Sequence, residues 1–189
     1  MPSTLPVTNA NRARYAASLI ERGQHKAAER LLKDVLKADP NQIDALVAYG
    51  VLSGMRGQLA DAVKHLRRAA QRSPRSDAAH YNLGQALIQL GRHGEAAEAL
   101  ERAVGISDQP QFHEKLGDCL RQLGQLDRAA THFQRAVDLA GNKAGGMLLS
   151  SLIETKRRLC DWEGLPALEM RLVDMVRSGE PAEPLLLHY

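Results

Sequence analysis

Residues Asp44 to Pro74 read DALVAYGVLSGMRGQLADAVKHLRRAAQRSP, two short helical stretches divided by a glycine, with small residues where the two would cross. The pattern returns from Asp77 as DAAHYNLGQALIQLGRHGEAAEALERAV and from Pro110 as PQFHEKLGDCLRQLGQLDRAATHFQRAV. Recurrence at about 34 residues marks a helical hairpin that hides its apolar face only by stacking on its neighbours. An earlier copy is visible upstream, with Tyr15, Ala16, Leu19, Gly23, Ala28, Leu32, Val35 and Pro40 at matching places. The units are expected at 9–42, 43–76, 77–109 and 110–143. The third is one residue short, and Asp108 stands where an exit proline would be.

Each recurring residue has a physical reason. Ala16, Gly50, Gly84 and Gly117 are expected to face Ala28, Ala62, Ala96 and Ala129, so that the paired helices approach closely; a larger side chain there would overpack, at about 1–3 kcal/mol. The turn glycines Gly23, Gly57, Gly91 and Gly124 supply the positive φ that ends a helix, and a following proline stops the second one. Leu32, Leu66, Leu100 and Phe133 are expected to fill the seam that the next hairpin covers.

Composition agrees with helices. Apolar residues make up 44% of the chain and aromatics only 4%; Ala, Leu, Arg, Gln and Glu enter helices at little entropic cost. The formal charge of +3 is small, and no Lys/Arg block is long enough for a nucleic-acid arm. Cys119 and Cys160 have no CxxC spacing, so neither a disulfide framework nor a zinc site is expected, and a reducing compartment is. The first residues lack the apolar core of a signal peptide, and no run nears the roughly 18 apolar residues of a membrane span. A cytoplasmic location is expected, with no membrane partner.

These motifs resemble the tetratricopeptide repeat family over residues 9–143: a large residue, Leu-Gly, a turn Gly, then Ala, Leu or Phe, Ala and Pro. The resemblance implies an all-α, right-handed α-solenoid whose first helices line a concave groove that holds a protein or extended peptide. Mapping that face puts Ala48, Val51 and Met55 beside Tyr81, Asn82, Gln85 and Gln89, with Glu114, Lys115, Asp118, Arg121 and Gln122 from the fourth unit. The expected peptide-binding groove is Val51, Met55, Tyr81, Asn82, Gln85, Gln89, Lys115 and Arg121. Asn82 is either a backbone-gripping amide or an ordinary polar residue. Lys115 and Arg121 are either a carboxylate clamp or solvated side chains.

Other residues carry less chemistry. Lys64, Arg67, Arg68 and Arg72 make one second helix basic, and equal repeat positions pair Lys64 with Glu98 and Arg67 with Glu101. Such a surface ladder is preferred to a nucleic-acid patch, because no aromatic residues are interleaved for stacking. His80 and His113 occupy a packing position, so no metal is expected there. Cys119 reads as an inert core thiol. No catalytic residue and no cofactor are expected.

Residues 1–8, rich in Pro, Ser and Thr, are expected to be disordered, with Thr8 or Asn9 capping the first helix. From Ala144 the repeat fades into a degenerate fifth helical pair, 144–180, with a tail or linker at 181–189. Asp161 is expected to cap its last helix, Leu165, Leu168, Leu172 and Val176 to form one apolar stripe, and Trp162 to plug the space before it. The stretch Leu159, Cys160, Asp161, Trp162 is similar to the junction between repeats and catalytic domain in O-linked N-acetylglucosamine transferases and SPINDLY-like relatives. That resemblance implies an alternative: the substrate-recognition region of a glycosyltransferase whose catalytic domain is not in this chain. Self-association around Leu185 to Leu187 is a third expectation.

Overall fold

The computed structural model describes residues 8–178; the expectations for residues 1–7 and for the 181–189 tail, including self-association, lie outside them. Among the described residues every regular element is helical. They divide into two compact units, one ending at Ile106 and one beginning at Ser107. The first holds α1 (Asn9–Glu21), α2 (His25–Ala38), α3 (Ile43–Met55), α4 (Leu59–Arg72), α5 (Asp77–Gln89) and α6 (His93–Ile106). The second holds α7 (Pro110–Gln122), α8 (Leu126–Ala140), a 3₁₀ turn at Gly141–Lys143, α9 (Gly146–Arg158) and α10 (Leu165–Arg177).

Local signals start and stop these helices. Thr8 Oγ1 accepts from Asn11 N at 3.2 Å and Ser76 Oγ from Ala79 N at 3.2 Å, each satisfying a first-turn donor that the helix itself leaves unpaired. At the end of α3, Gly57 sits at φ +74°, and Gln58 N donates back to Ser53 O at 2.9 Å. This six-to-one closure needs a left-handed residue, which glycine adopts without a Cβ penalty. The same bond recurs after Gly23, Gly91 and Gly124, so α1–α2, α3–α4, α5–α6 and α7–α8 are each reversed by the same device.

The crossing of each hairpin is set by a large side chain lying on a glycine. A methyl group on Gly50 would sit 2.5 Å from Leu66 Cγ, on Gly84 2.6 Å from Leu100 Cγ, and on Gly117 2.7 Å from Phe133 Cε1. The expected glycine–alanine facing is therefore corrected. Ala62 lies one turn further along, 3.9 Å from where a Gly54 Cβ would be, and Leu66, not Ala62, covers Gly50. Leu66, Leu100 and Phe133 fill the crossing of their own hairpin and are at most 1% exposed, a burial that contributes about 1.5–3 kcal/mol for each such side chain.

Within the first unit α1, α3 and α5 lie side by side, α2 packs on α3, and α4 packs on α5. Tyr49 packs on the core formed by α1, α2 and α3, with its ring 4.8 Å from that of His65. Tyr15, at the equivalent place of the first hairpin, is 57% exposed, with no earlier helix among the described residues to cover it. Between hairpins, side chains 27 or 28 positions apart meet: Arg56 with Glu29 at 2.6 Å, Arg68 with Asn41 at 2.9 Å, and Arg67 with Glu95 at 2.8 Å. The expected partner of Arg67 was Glu101. It is Glu95, because the first turn of α6, not its middle, lies level with Arg67. No ion pair joins Lys64 to Glu98 among the described residues.

In the second unit α9 lies against both α7 and α8, and α10 against α9, burying Leu148, Leu149, Leu152 and Ile153. Three expectations fail here. Trp162 is 65% exposed: Cys160 turns left-handed at φ +54°, the chain reverses early, and Leu165 is the buried residue in its place. Asp161 does not cap α10, which starts after left-handed Gly164; its carboxylate accepts from Glu163 N at 3.1 Å and pairs with Lys156. Val176 is 54% exposed, leaving Leu165 and Leu172 as the buried residues of α10.

Two outcomes follow from this packing. Gly84→Ala and Gly117→Ala should each lower stability by about 1–3 kcal/mol, whereas Gly94→Ala, with nothing within 4 Å, should be neutral or stabilising by up to about 1 kcal/mol; urea unfolding midpoints measure both. Hydrogen bonds from Lys33 and then Arg56 hold the Glu29 carboxyl at about 2, down from 4.5. A depressed folded pKa means that the contribution is complete above 4.5 and fades as pH falls through about 2. The stability gap between wild type and Glu29→Gln should therefore be greatest at neutral pH and close on acidification.

Candidate functional site

The first helices of adjacent hairpins, α3 and α5, lie alongside each other in the first unit, and six of the expected groove residues are on them. Val51 is half-buried and Met55 is 59% exposed, so α3 offers an apolar strip. Tyr81, Asn82 and Gln85 are half-buried on α5, with Gln89 exposed. Gln85 Nε2 donates to Tyr81 Oη at 2.8 Å, and Asn82 Nδ2 donates to Ala78 O at 2.7 Å, one turn back on its own helix. The Asn82 amide thus spends one of its two N–H donors locally and keeps Oδ1 as an acceptor. Ala48 does not belong to this face: it is 6% exposed and sits in the core with α1 and α2.

Lys115 and Arg121 lie on α7 in the second unit, and neither is a bare cation. Lys115 Nζ is 3.6 Å from Asp118 Oδ2 and 3.8 Å from Glu114 Oε1. Arg121 is 3.7 Å from both Asp118 Oδ1 and Glu154 Oε2. Half-exposed pairs at these separations are weak, so an incoming carboxylate would compete with three acidic side chains already in place. Glu154, on α9, is the partner that spacing within one helix could not reveal.

A polar cluster unforeseen from the sequence sits at the start of α7. His113 is buried; its Nε2 donates to Asp108 Oδ1 at 2.7 Å, and its Nδ1 meets His132 Nδ1 at 2.9 Å. Asp108 also pairs with Arg135. Arg135 first, and His113 second, hold the Asp108 carboxyl below its ordinary value. His80, at the equivalent place in the first unit, donates from Nε2 to Pro74 O at 3.2 Å, and burial pushes its pKa down. A buried histidine in each case binds the residue at the preceding exit. Asp108 is thus a replacement partner where the expected exit proline is absent, and the signal for it was the pairing of a lost proline with a retained histidine.

The remaining titratable candidates are quiet. Burial, and then the Asp118 charge, push the Cys119 thiol up to about 12, which removes the thiolate that nucleophilic chemistry needs. Among the described residues no group of three or more His, Cys, Asp or Glu side chains converges as a metal site would require, and no helix is long and apolar enough to cross a membrane.

Comparison with known proteins places this geometry. No curated protein matches the sequence. Among solved structures, residues 41 to the end of MamA from Desulfovibrio magneticus RS-1 share 21% identity, covering 92% of this chain and 98% of that one with a TM-score of 0.78. YrrB, described as a TPR protein with an unusual peptide-binding site, shares 18% identity over 87% and 84% of the two chains, with a TM-score of 0.74. PilF of Pseudomonas aeruginosa shares 19% identity over 88% and 75%, with a TM-score of 0.76. At such identities the likeness is one of fold, a tetratricopeptide-like helical solenoid. Residues 3–144 match the family described as "T7SS, ESX-1 secretion system protein EccA1, N-terminal domain", and the chain belongs to that family.

Proposed function

We propose that the chain is a protein- or peptide-binding scaffold, whose work is recruitment rather than catalysis. In this reading 9–42, 43–76, 77–109 and 110–143 are repeats and 144–180 is a degenerate helical pair. The binding surface of the first unit is Val51, Met55, Tyr81, Asn82, Gln85 and Gln89; Lys115 and Arg121 make a separate contact in the second. One observation carries it: the exposed Met55, 59% accessible, lies on the helix adjacent to the one that presents Asn82 Oδ1 and the Gln85 amide. An extended polypeptide offers the complement, an apolar side chain for Met55 and a backbone N–H for the free amide oxygen. Membership of a family named for a secretion system protein supports a polypeptide client.

A second reading, the recognition region of an O-linked N-acetylglucosamine transferase-like enzyme, is favoured only by the Leu159–Trp162 stretch, whose Trp162 is exposed as a junction residue awaiting a further domain would be. A sugar-nucleotide domain encoded beyond Tyr189 would support it, and a stop codon there would remove it.

Affinity capture followed by mass spectrometry identifies the client of the first reading. Asn82→Ala combined with Lys115→Glu should then weaken client binding by about tenfold, as loss of one amide contact and one charged contact would, with the helical circular dichroism unchanged. Equal binding by mutant and wild type would reject the surface.

A further inference from the structure

The α4 side of the first unit carries a feature that the proposed client surface does not use. Between α4 and the turn from α5 into α6 lies an open recess of about 730 Å³, lined by Lys64, Arg67, Arg68, Arg72 and Arg92 and by no carboxylate. Its apolar contribution comes from the exposed Ala60 and from Leu90, which is 38% exposed, while Val63, also in the lining, is buried. These residues belong to a second helix and a turn, whereas the surface proposed above is built from first helices.

The charges in this recess are largely uncompensated. Lys64 and Arg72 make no ion pair among the described residues. Arg68 donates to the neutral Asn41 Oδ1 at 2.9 Å and 3.2 Å and keeps its full charge. Glu95 alone, outside the lining, answers both Arg67, at 2.8 Å, and Arg92, at 2.5 Å. Like charges stacked along one helix face oppose folding, so the arrangement is one that an external anion would relieve.

Spacing narrows the kind of anion. Lys64, Arg68 and Arg72 are four residues apart, a rise of about 6 Å per step along the helix. Alternate side chains of an extended polypeptide recur about 6.6–6.8 Å apart, a difference that flexible Lys and Arg stems absorb. Acidic residues at every second position of a strand would meet the three cations in register, with the residues between them facing away from α4. A nucleic acid would want aromatic faces for its bases, and no Phe, Tyr or Trp lines the recess.

We propose that this recess is a docking surface for an acidic, extended polypeptide segment. The probe that tests it is a fluorescein-labelled peptide of alternating Glu and Ala, with an oligothymidylate of equal charge as the competing probe, both read by fluorescence anisotropy on the full chain. The acidic peptide should bind and weaken as salt rises. K64E/R68E/R72E should lose at least about tenfold in affinity, as removal of several charge-assisted contacts would. The milder K64Q/R72Q changes only residues without partners and should lose about threefold, with unfolding midpoint and circular dichroism retained. The charge-matched R22E/K26E/R30E, at the end of α1 and on α2, should bind as wild type does. Failure of the peptide to bind, an equal loss in R22E/K26E/R30E, or stronger binding of the oligothymidylate with the same dependence on Lys64, Arg68 and Arg72 would each overturn the proposal. All three readouts are independent of Asn82 and the inner face, so a failed client surface would leave this result standing.

Discussion

A leucine or phenylalanine lying on a glycine is the constraint from which the rest of this chain follows. At Gly50, Gly84 and Gly117 the partner side chain occupies the space a methyl group would need, so the two helices of a hairpin come as close as their backbones permit. Close approach excludes water from Leu66, Leu100 and Phe133, and interior packing at this density is intolerant of added volume. In α1 the same place is held by Ala16, itself fully buried.

Once the hairpins are closed, the remaining surfaces differ in chemistry. On the adjacent α3 and α5, Met55 is exposed and the amides of Asn82 and Gln85 are half-buried. The outer side of α4 keeps its cations because neighbouring hairpins are tied by pairs 27 or 28 residues apart, as in Glu29–Arg56 and Asn41–Arg68. Glu95 answers Arg67 at that offset and Arg92 three residues before it, and Lys64, Arg68 and Arg72 have no carboxylate partner among the described residues. Electrostatic complementarity of this sort affects the rate and selectivity of encounter more than the fold.

Much of the architecture was legible in the primary structure because it depends on small residues and turn glycines at fixed spacing. Gly57 had to be left-handed, and Gly50 had to be close to something. What that something was, Leu66 and not Ala62, depends on the stagger of the paired helices, which periodicity does not encode. The same ignorance of stagger assigned Arg67 to Glu101 and placed Ala48 on the inner face. Other differences concern coverage: Tyr15 and Trp162 have the chemistry of core residues, yet burial depends on a neighbour being present, and none covers them among the described residues. For the candidate surface, the side chains were legible and their local bonds were not. Asn82 turns its donor onto Ala78, and Lys115 and Arg121 already have Asp118 for company.

The central claim is that Leu100 and Gly84 are sterically coupled, and a double-mutant cycle measures it most directly. Unfolding free energies of wild type, Gly84→Ala, Leu100→Ala and the double variant would be compared, since residues in contact depart from additivity by about 0.5–3 kcal/mol. The account predicts that the double variant is more stable than the sum of the single effects allows, because truncating Leu100 makes room for the new methyl group. Additive effects would contradict it, for then the glycine would be small for some reason other than the side chain that lies on it.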